Sequence, residues 1–129
     1  MVLAVGGHIL GEEAAGHCVR WAGGLAGGVG GSRREICGAL SGGVLVVGGI
    51  CGRDQPEADL LLCRDGAARF RERFLDEFGA TQCQALLDQV VHMDGGLGSC
   101  SLLTEHTARI LMDVLGNLSP QSHQDTKDR

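Results

Sequence analysis

The sequence predicts an all-α protein, a compact helical bundle around a glycine-rich central helix. Phe70, Phe74 and Phe78 recur every four residues in a segment that is otherwise largely charged, which is the pattern of an amphipathic helix. Small residues recur at the same spacing between positions 38 and 43, where they would let another backbone pack closely. The 22 glycines, the single tryptophan and the absence of tyrosine leave mainly small and aliphatic side chains for the core.

The first third of the chain reads as two short helices and a glycine-rich connection. We expect a helix from Val2 to Leu10, closed by Gly11, and a second helix that opens with acidic residues at Glu12 and runs to Trp21 or Ala22. The stretch 23–31 contains six glycines beside apolar residues. Such density indicates tight backbone approach or positive φ angles, not a flexible polar linker.

The central helix is predicted from a capping pattern. Ser32 and Glu35 have the spacing of a capping box, so we expect a helix that continues through Ile50. The branched residues at 44–47 would also suit a strand, but the four-residue spacing of the small residues favours the helix. A turn is expected at residues 52–56.

Three further helices follow in the predicted order. The amphipathic helix runs from Ala58 to Phe78 and is ended by Gly79. Thr81 starts a short helix, with Gln84 at its capping-box position and Cys83 in its first turn. After a glycine loop at 95–98, Ser99 caps a last helix that begins at Cys100 and stops at Gly116. We assign residues 1–118 to a single domain and residues 119–129 to a disordered tail.

Composition excludes several function classes. The net charge of −5 and the lack of a long basic run argue against nucleic-acid binding. The longest uncharged apolar run, Ile36 to Cys51, falls short of the ~20 residues that span a bilayer, and the first residues do not form a signal peptide. We therefore expect no membrane contact and a cytoplasmic location. In a reducing compartment, six cysteines favour metal binding, catalysis or redox sensing over structural disulfides.

Three cysteines are the candidate catalytic residues: Cys37, Cys83 and Cys100, each near a predicted helix start. The positive end of a helix dipole favours the thiolate, and Arg33 and Arg34 precede the first of the three. We therefore expect Cys37 to be the most reactive thiol, alkylated faster than Cys63. The other cysteines are interpreted mainly as core-filling residues: Cys18, Cys51 and Cys63.

The candidate cysteines are also compatible with a metal site. No Cys-x-x-Cys occurs, so zinc-ribbon and thioredoxin-type sites have no local support. Three distant cysteines can still converge on an iron–sulfur cluster or another metal, and the same three residues would then be the ligands. The glycine stretch lacks the lysine of a phosphate-binding loop, so packing is its better interpretation.

The residues resemble a family of redox-active proteins named for their C-GCAxxG-C-C cysteine pattern. The resemblance rests on residues 37–42, on the glycines at 27–30, on residues 78–83 and on Cys100. It implies an all-helical fold, redox activity and four family cysteines. A related arrangement occurs in split-Soret cytochromes, which are haem-binding dimers. The resemblance therefore also implies haem as a cofactor and a homodimer as an assembly.

The sequence departs from the family pattern at its start. The family's first cysteine would lie just before Met1, and Cys18 does not replace it. Either one of four thiols has been lost, or translation begins further upstream, for example where a selenocysteine codon was read as a stop.

The leading functional hypothesis is a small intracellular protein that uses thiol–disulfide chemistry with an unknown redox partner protein. The alternatives are a metal-binding protein and a helical interaction module without chemistry. If a disulfide forms within the chain, Cys83–Cys100 is the first pair to test, because a glycine turn separates the two residues. Pairing of Cys37 with either of them is the alternative.

Overall fold

The computed structural model describes residues 1–118 and confirms the all-α fold. Six α-helices occur in this part of the chain: α1 (Gly7–Leu10), α2 (Glu12–Trp21), α3 (Gly38–Cys51), α4 (Leu61–Phe78), α5 (Cys83–Leu86) and α6 (Cys100–Gly116). Wider π-helical turns precede α1 at Val2–Gly6 and follow α5 at Leu87–Val91. The predicted tail at 119–129 lies outside the described residues.

The N-terminal helices follow the prediction closely. The π-helical turns and α1 form one helical segment from Val2 to Leu10, and Gly11 ends it with a φ of 92°. α2 then places Glu12 and Glu13 in its first turn, where their negative charges interact favourably with the positive end of the helix dipole. A short 3₁₀ helix, Ala22–Leu25, continues from α2 into the glycine-rich segment.

The central helix begins later than its predicted capping box. Ser32 does not cap it: the Ser32 hydroxyl donates to the carbonyl of Gly28 at 2.7 Å and accepts from the N–H of Arg34 at 3.2 Å. Residues 33–36 instead enter an antiparallel bridge between Ile36 and Gln82, so α3 starts at Gly38 with Cys37 as its N-cap residue. Tertiary pairing has therefore displaced the N-cap of this helix by five positions, from Ser32 to Cys37.

The glycine-rich helix α3 lies at the centre of the bundle, as predicted. Val46 and Val47 are fully buried, and α3 contacts α4, α6 and the N-terminal turns. On α4, the predicted phenylalanine stripe forms the other side of the core. Phe70 and Phe74 are fully buried, and Phe74 meets Phe78 edge-on with ring centroids 4.8 Å apart.

Two other helix starts differ from the sequence prediction. α4 begins at Leu61, not Ala58, because the Asp59 carboxylate accepts the N–H of Leu61 at 2.8 Å. At α5 the N-cap residue is Gln82, so the Thr81 capping box was wrong, although Cys83 is in the first turn as expected. The Ser99 cap of α6 is confirmed, since its hydroxyl accepts the N–H of Leu102 at 3.3 Å.

Among the described residues, no helix combines the length and the apolarity that crossing a membrane requires.

The α3–α4 contact predicts opposite effects for two glycine substitutions in one helix. A Cβ at Gly43 would overlap the buried ring of Phe70, whereas a Cβ at Gly48 meets nothing within 4 Å. We expect Gly43→Ala to lower the free energy of unfolding by about 1–3 kcal/mol through overpacking. The control Gly48→Ala should raise it by up to ~1 kcal/mol through helix propensity. Urea denaturation measures both, and equal effects would contradict this packing.

Candidate functional site: a cavity lined by three cysteines

The structure brings together the three predicted site residues. Cys37, Cys83 and Cys100 line one cavity of about 320 Å³ between the starts of α3, α5 and α6. Most of its remaining lining is apolar or backbone: Met1, Val2, Ala22, Leu25, Ala26, Gly27, Gly38, Ala39, Gly42, Leu103 and Thr104. Residues that are up to 63 positions apart in sequence therefore present their sulfur atoms to a shared space.

A single antiparallel bridge orients two of the three cysteines. Around the Ile36–Gln82 pair, the N–H of Cys37 donates to the carbonyl of Thr81 at 2.8 Å, and the N–H of Cys83 donates to the carbonyl of Glu35 at 2.9 Å. Side chains alternate between faces along extended backbone, so Cys37 and Cys83 lie on the face opposite to that of the bridge pair. Both thiols consequently point to the cavity side.

The glycine-rich segment forms the support beneath Cys83. Five consecutive residues, 27–31, have φ angles between 63° and 71°, which confirms the predicted positive φ. Val29 shares this conformation, and a branched residue is strained there. At Gly28 a Cβ would lie 2.6 Å from the Cβ of Cys83 and 2.9 Å from the Cα of Arg33, so only glycine allows this approach. The strand-like pairing and this turn together hold Cys83 in place.

The environment of Cys37 opposes the high reactivity that the sequence predicted for this thiol. Its side chain is only 7% exposed, and burial raises the pKa of the thiol above its ordinary value. The N–H groups of Ala39 and Leu40 lower this pKa, as expected at a helix start, while negative charge at Cys83 or Cys100 raises it. Burial is the largest of these effects, and Arg33 is exposed. The basis for faster alkylation of Cys37 than of Cys63 is therefore lost.

Cys100 is the accessible member of the set. It is exposed at the first position of the 17-residue helix α6, next to the Ser99 cap. Cys83 is half-buried and begins α5, which is only four residues long. Solvent accessibility thus falls from Cys100 through Cys83 to Cys37. The positions of helix starts and arginines in the sequence do not predict this order.

This arrangement agrees with the comparison against known protein families. The model of the C_GCAxxG_C_C family, described as "Putative redox-active protein", matches residues 1–114. The chain belongs to this family. No curated protein and no solved structure matches it.

The cavity of this C_GCAxxG_C_C protein does not form a ready metal site. Within residues 1–118, no three His, Cys, Asp or Glu side chains lie close enough together to hold one metal ion. The three sulfurs share a cavity but do not form such a group. As folded here, the predicted ligand set Cys37, Cys83 and Cys100 therefore does not fit zinc or an iron–sulfur cluster.

The sequence did not predict two further features of this protein. Cys51 and Cys63, interpreted as core-filling, are only half-buried and lie next to each other. A groove of about 840 Å³ between α2 and α3 is lined mostly by apolar side chains, with Trp21 82% exposed at its edge. No local motif marks either feature, since both arise where separate helices pack.

The support beneath Cys83 predicts different effects for two neighbouring glycines. Gly28→Ala introduces both left-handed strain and an overlap with Cys83, whereas Gly30→Ala introduces the strain alone, because nothing lies within 4 Å of its Cβ. We expect Gly30→Ala to lower the free energy of unfolding by about 1–2 kcal/mol. Gly28→Ala should lower it by at least about 1 kcal/mol more and should speed alkylation of Cys83. Equal losses in the two variants would show that Gly28 does not support Cys83.

The accessibility order predicts the order of thiol alkylation. At about pH 8, iodoacetamide should modify Cys100 at least ~10-fold faster than Cys37, because Cys37 is buried and keeps its proton. As the pH is raised, the rate at Cys37 should still be increasing above 9.0, the ordinary thiol pKa, because the pKa of Cys37 is raised. Residue-resolved mass spectrometry gives the rates. In the urea-unfolded chain, as a control, the two rates should converge; a faster Cys37 in the folded chain would contradict the structure.

Proposed function

We propose that this protein is a thiol redox protein that exchanges two electrons with the disulfide of a partner protein at the three-cysteine cavity. The observation that carries the proposal is the convergence of Cys37, Cys83 and Cys100 on one cavity from three separate elements. Membership of a redox-active family supports the same chemistry. The cycle suits a reducing compartment such as the cytoplasm, where thiols are regenerated between turnovers.

The exposure of the three thiols suggests the order of steps. The thiolate of Cys100, the exposed sulfur, attacks the partner's disulfide, forms a mixed disulfide and releases one partner thiolate. Cys83 then gives up its proton and attacks the Cys100 sulfur. This forms the Cys83–Cys100 disulfide and releases the second partner thiolate. Two electrons have passed to the partner, which ends as a dithiol after taking up two protons.

Cys37 has a different role in this scheme. Because it is buried and its pKa is raised, it stays a protonated thiol while the other two react. It lies close enough for negative charge at Cys83 and Cys100 to affect it, so it can replace Cys83 as the resolving residue. Pairing of Cys37 with either cysteine is therefore the alternative connectivity.

The partner is proposed to be a separate redox protein, with a second copy of this chain as the alternative. A partner disulfide has to reach Cys100 beside the start of α6, where the surface is open. Because Cys37 can also resolve the mixed disulfide, a Cys37→Ser, Cys83→Ser double variant is needed to trap it, and the mass of the trapped species identifies the partner. A trapped species of twice the chain's own mass would instead show that two copies react with each other.

The proposed cycle predicts one disulfide and its loss on substitution. Incubating the reduced protein with an excess of glutathione disulfide should form Cys83–Cys100, which closes a loop and stabilises the fold by about 3 kcal/mol. Cleavage after Asp88 or Asp94, between the two cysteines, lets unreduced peptide mapping detect the link. Cys100→Ser should abolish it, the Cys37→Ser, Cys83→Ser double variant should retain a glutathione adduct on Cys100, and the control Cys18→Ser should leave the disulfide unchanged.

Two outcomes would overturn the proposal. If none of the three cavity cysteines forms a disulfide under these conditions, thiol exchange is not their function. If protein purified without oxygen carries stoichiometric iron and sulfide that are lost in Cys37→Ser, the cavity rearranges around a metal, and the metal-binding alternative replaces it.

A further inference from the structure

The packing of α3 against α4 places two cysteines opposite each other, away from the cavity. The helices run antiparallel with a regular register in which Gly43 faces Phe70 and Val47 lies against Gly66. One turn further along α3 is Cys51, and three residues back along α4 is Cys63. The register of the two helices therefore brings these residues together, independently of any local motif.

The two thiols are close enough to affect each other's protonation. The side chain of Cys63 and the charge of its thiolate raise the pKa of Cys51, and the Cys51 sulfur donates to the carbonyl of Val47 at 3.1 Å. Both residues are half-buried at the edge of the core, unlike the buried Cys37, so a small reagent can reach them. Residues 52–60 connect the two helices over this end of the bundle.

We propose that Cys51 and Cys63 form a second dithiol–disulfide couple, which a low-molecular-weight disulfide such as glutathione disulfide oxidises, tying the end of α3 to the start of α4. This couple is a modification site separate from the three-cysteine cavity. Cys37 and Cys51 stand at opposite ends of the 14-residue helix α3, which is ~20 Å long at ~1.5 Å per residue.

The oxidation is an ordinary two-step thiol exchange. One cysteine thiolate attacks a sulfur of glutathione disulfide, forms a mixed disulfide and releases one glutathione thiolate. The second cysteine loses its proton to solvent and attacks the mixed disulfide, which forms the Cys51–Cys63 bond and releases the second glutathione thiolate. Two electrons pass from the dithiol to glutathione disulfide, which ends as two glutathione thiols.

The environment of the pair assigns the two roles. Burial, the hydrogen bond with Cys63 and the charge of its thiolate raise the pKa of Cys51 to about 12. The raised pKa makes the Cys51 thiol the poorer nucleophile, so we assign Cys63 as the attacking sulfur and Cys51 as the resolving one. Cys63 also lies in the first turn of the 18-residue helix α4, which is consistent with this role.

The experiment treats the full, reduced chain with glutathione disulfide, blocks the remaining thiols with N-ethylmaleimide and maps unreduced tryptic peptides. Cleavage after Arg34, Arg53 and Arg64 yields peptides 35–53 and 54–64, which a Cys51–Cys63 disulfide joins. Peptide 35–53 also contains Cys37, so the Cys51→Ser variant is required: it must abolish the link. The control Cys18→Ser should leave the link intact.

The single variants test the assigned roles. Cys51→Ser should stop at a stable glutathione adduct on Cys63, because the resolving thiol is gone. In Cys63→Ser, adduct formation on Cys51 should be slower than adduct formation on Cys63 in Cys51→Ser, because burial, the largest cause of the raised pKa of Cys51, remains. Failure of peptides 35–53 and 54–64 to link at equilibrium, or a link that survives Cys51→Ser, would overturn the couple. Faster modification of Cys51 than of Cys63 would overturn the roles.

The result is independent of the function proposed for the cavity. In a Cys83→Ser, Cys100→Ser double variant the Cys51–Cys63 link should form at the wild-type rate. Loss of the link in that variant would show that oxidation reaches Cys51 and Cys63 only through the cavity cysteines, contrary to the proposal. If the Cys51–Cys63 link forms in the double variant while the wild-type protein forms no cavity disulfide, the proposed Cys51–Cys63 couple is supported. Only the function proposed for the cavity is then contradicted.

Discussion

The rest of the structure depends on the contact between the ring of Phe70 and the backbone of α3 at Gly43. Because Gly43 has no side chain, the fully buried ring lies directly on the central helix. This approach fixes the register of α3 against α4, with Val47 at Gly66 one turn further on. Interiors pack densely, so a helix pair locked at one point has little freedom to slide along its length. Both ends of α3 are positioned as a consequence.

The cavity at the start of α3 needs a second constraint, because its cysteines come from loops as well as helices. The Ile36–Gln82 bridge joins the segment before α3 to the segment before α5, and the left-handed turn at 27–31 packs beneath it. A left-handed conformation is unfavourable for Val29, so the backbone stores strain next to Cys83. The hydrogen bonds around this turn, including the 2.8 Å bond from the N–H of Arg33 to the carbonyl of Gly27, offset that strain.

The two ends of α3 give their cysteines different chemistry. At the N-terminal end, Cys37 is surrounded by core residues and shares an apolar cavity with two more accessible thiols. At the C-terminal end, Cys51 lies near the half-buried Cys63 and donates a hydrogen bond to the carbonyl of Val47. Burial raises the pKa of both Cys37 and Cys51, so in each cluster another sulfur is the better nucleophile.

The sequence by itself determined the helices and the three cavity cysteines. The spacing of the phenylalanines, the glycines that end helices and the Ser99 cap are local signals, and the structure follows them. The family pattern likewise grouped Cys37, Cys83 and Cys100, which line one cavity.

Tertiary structure alone decided where α3 begins, which of the cavity thiols is exposed and that Cys51 lies near Cys63. The Ser32 capping box does not form, because Ile36 pairs with Gln82 and the hydrogen bonds between these distant segments outweigh one local cap. Burial raises the pKa of Cys37 and so opposes the reactivity expected from the sequence. The burial of a residue depends on what packs around it and not on its neighbours in sequence. The contact of Cys51 with Cys63 depends on helix register, which the Gly43–Phe70 packing sets and no short motif records.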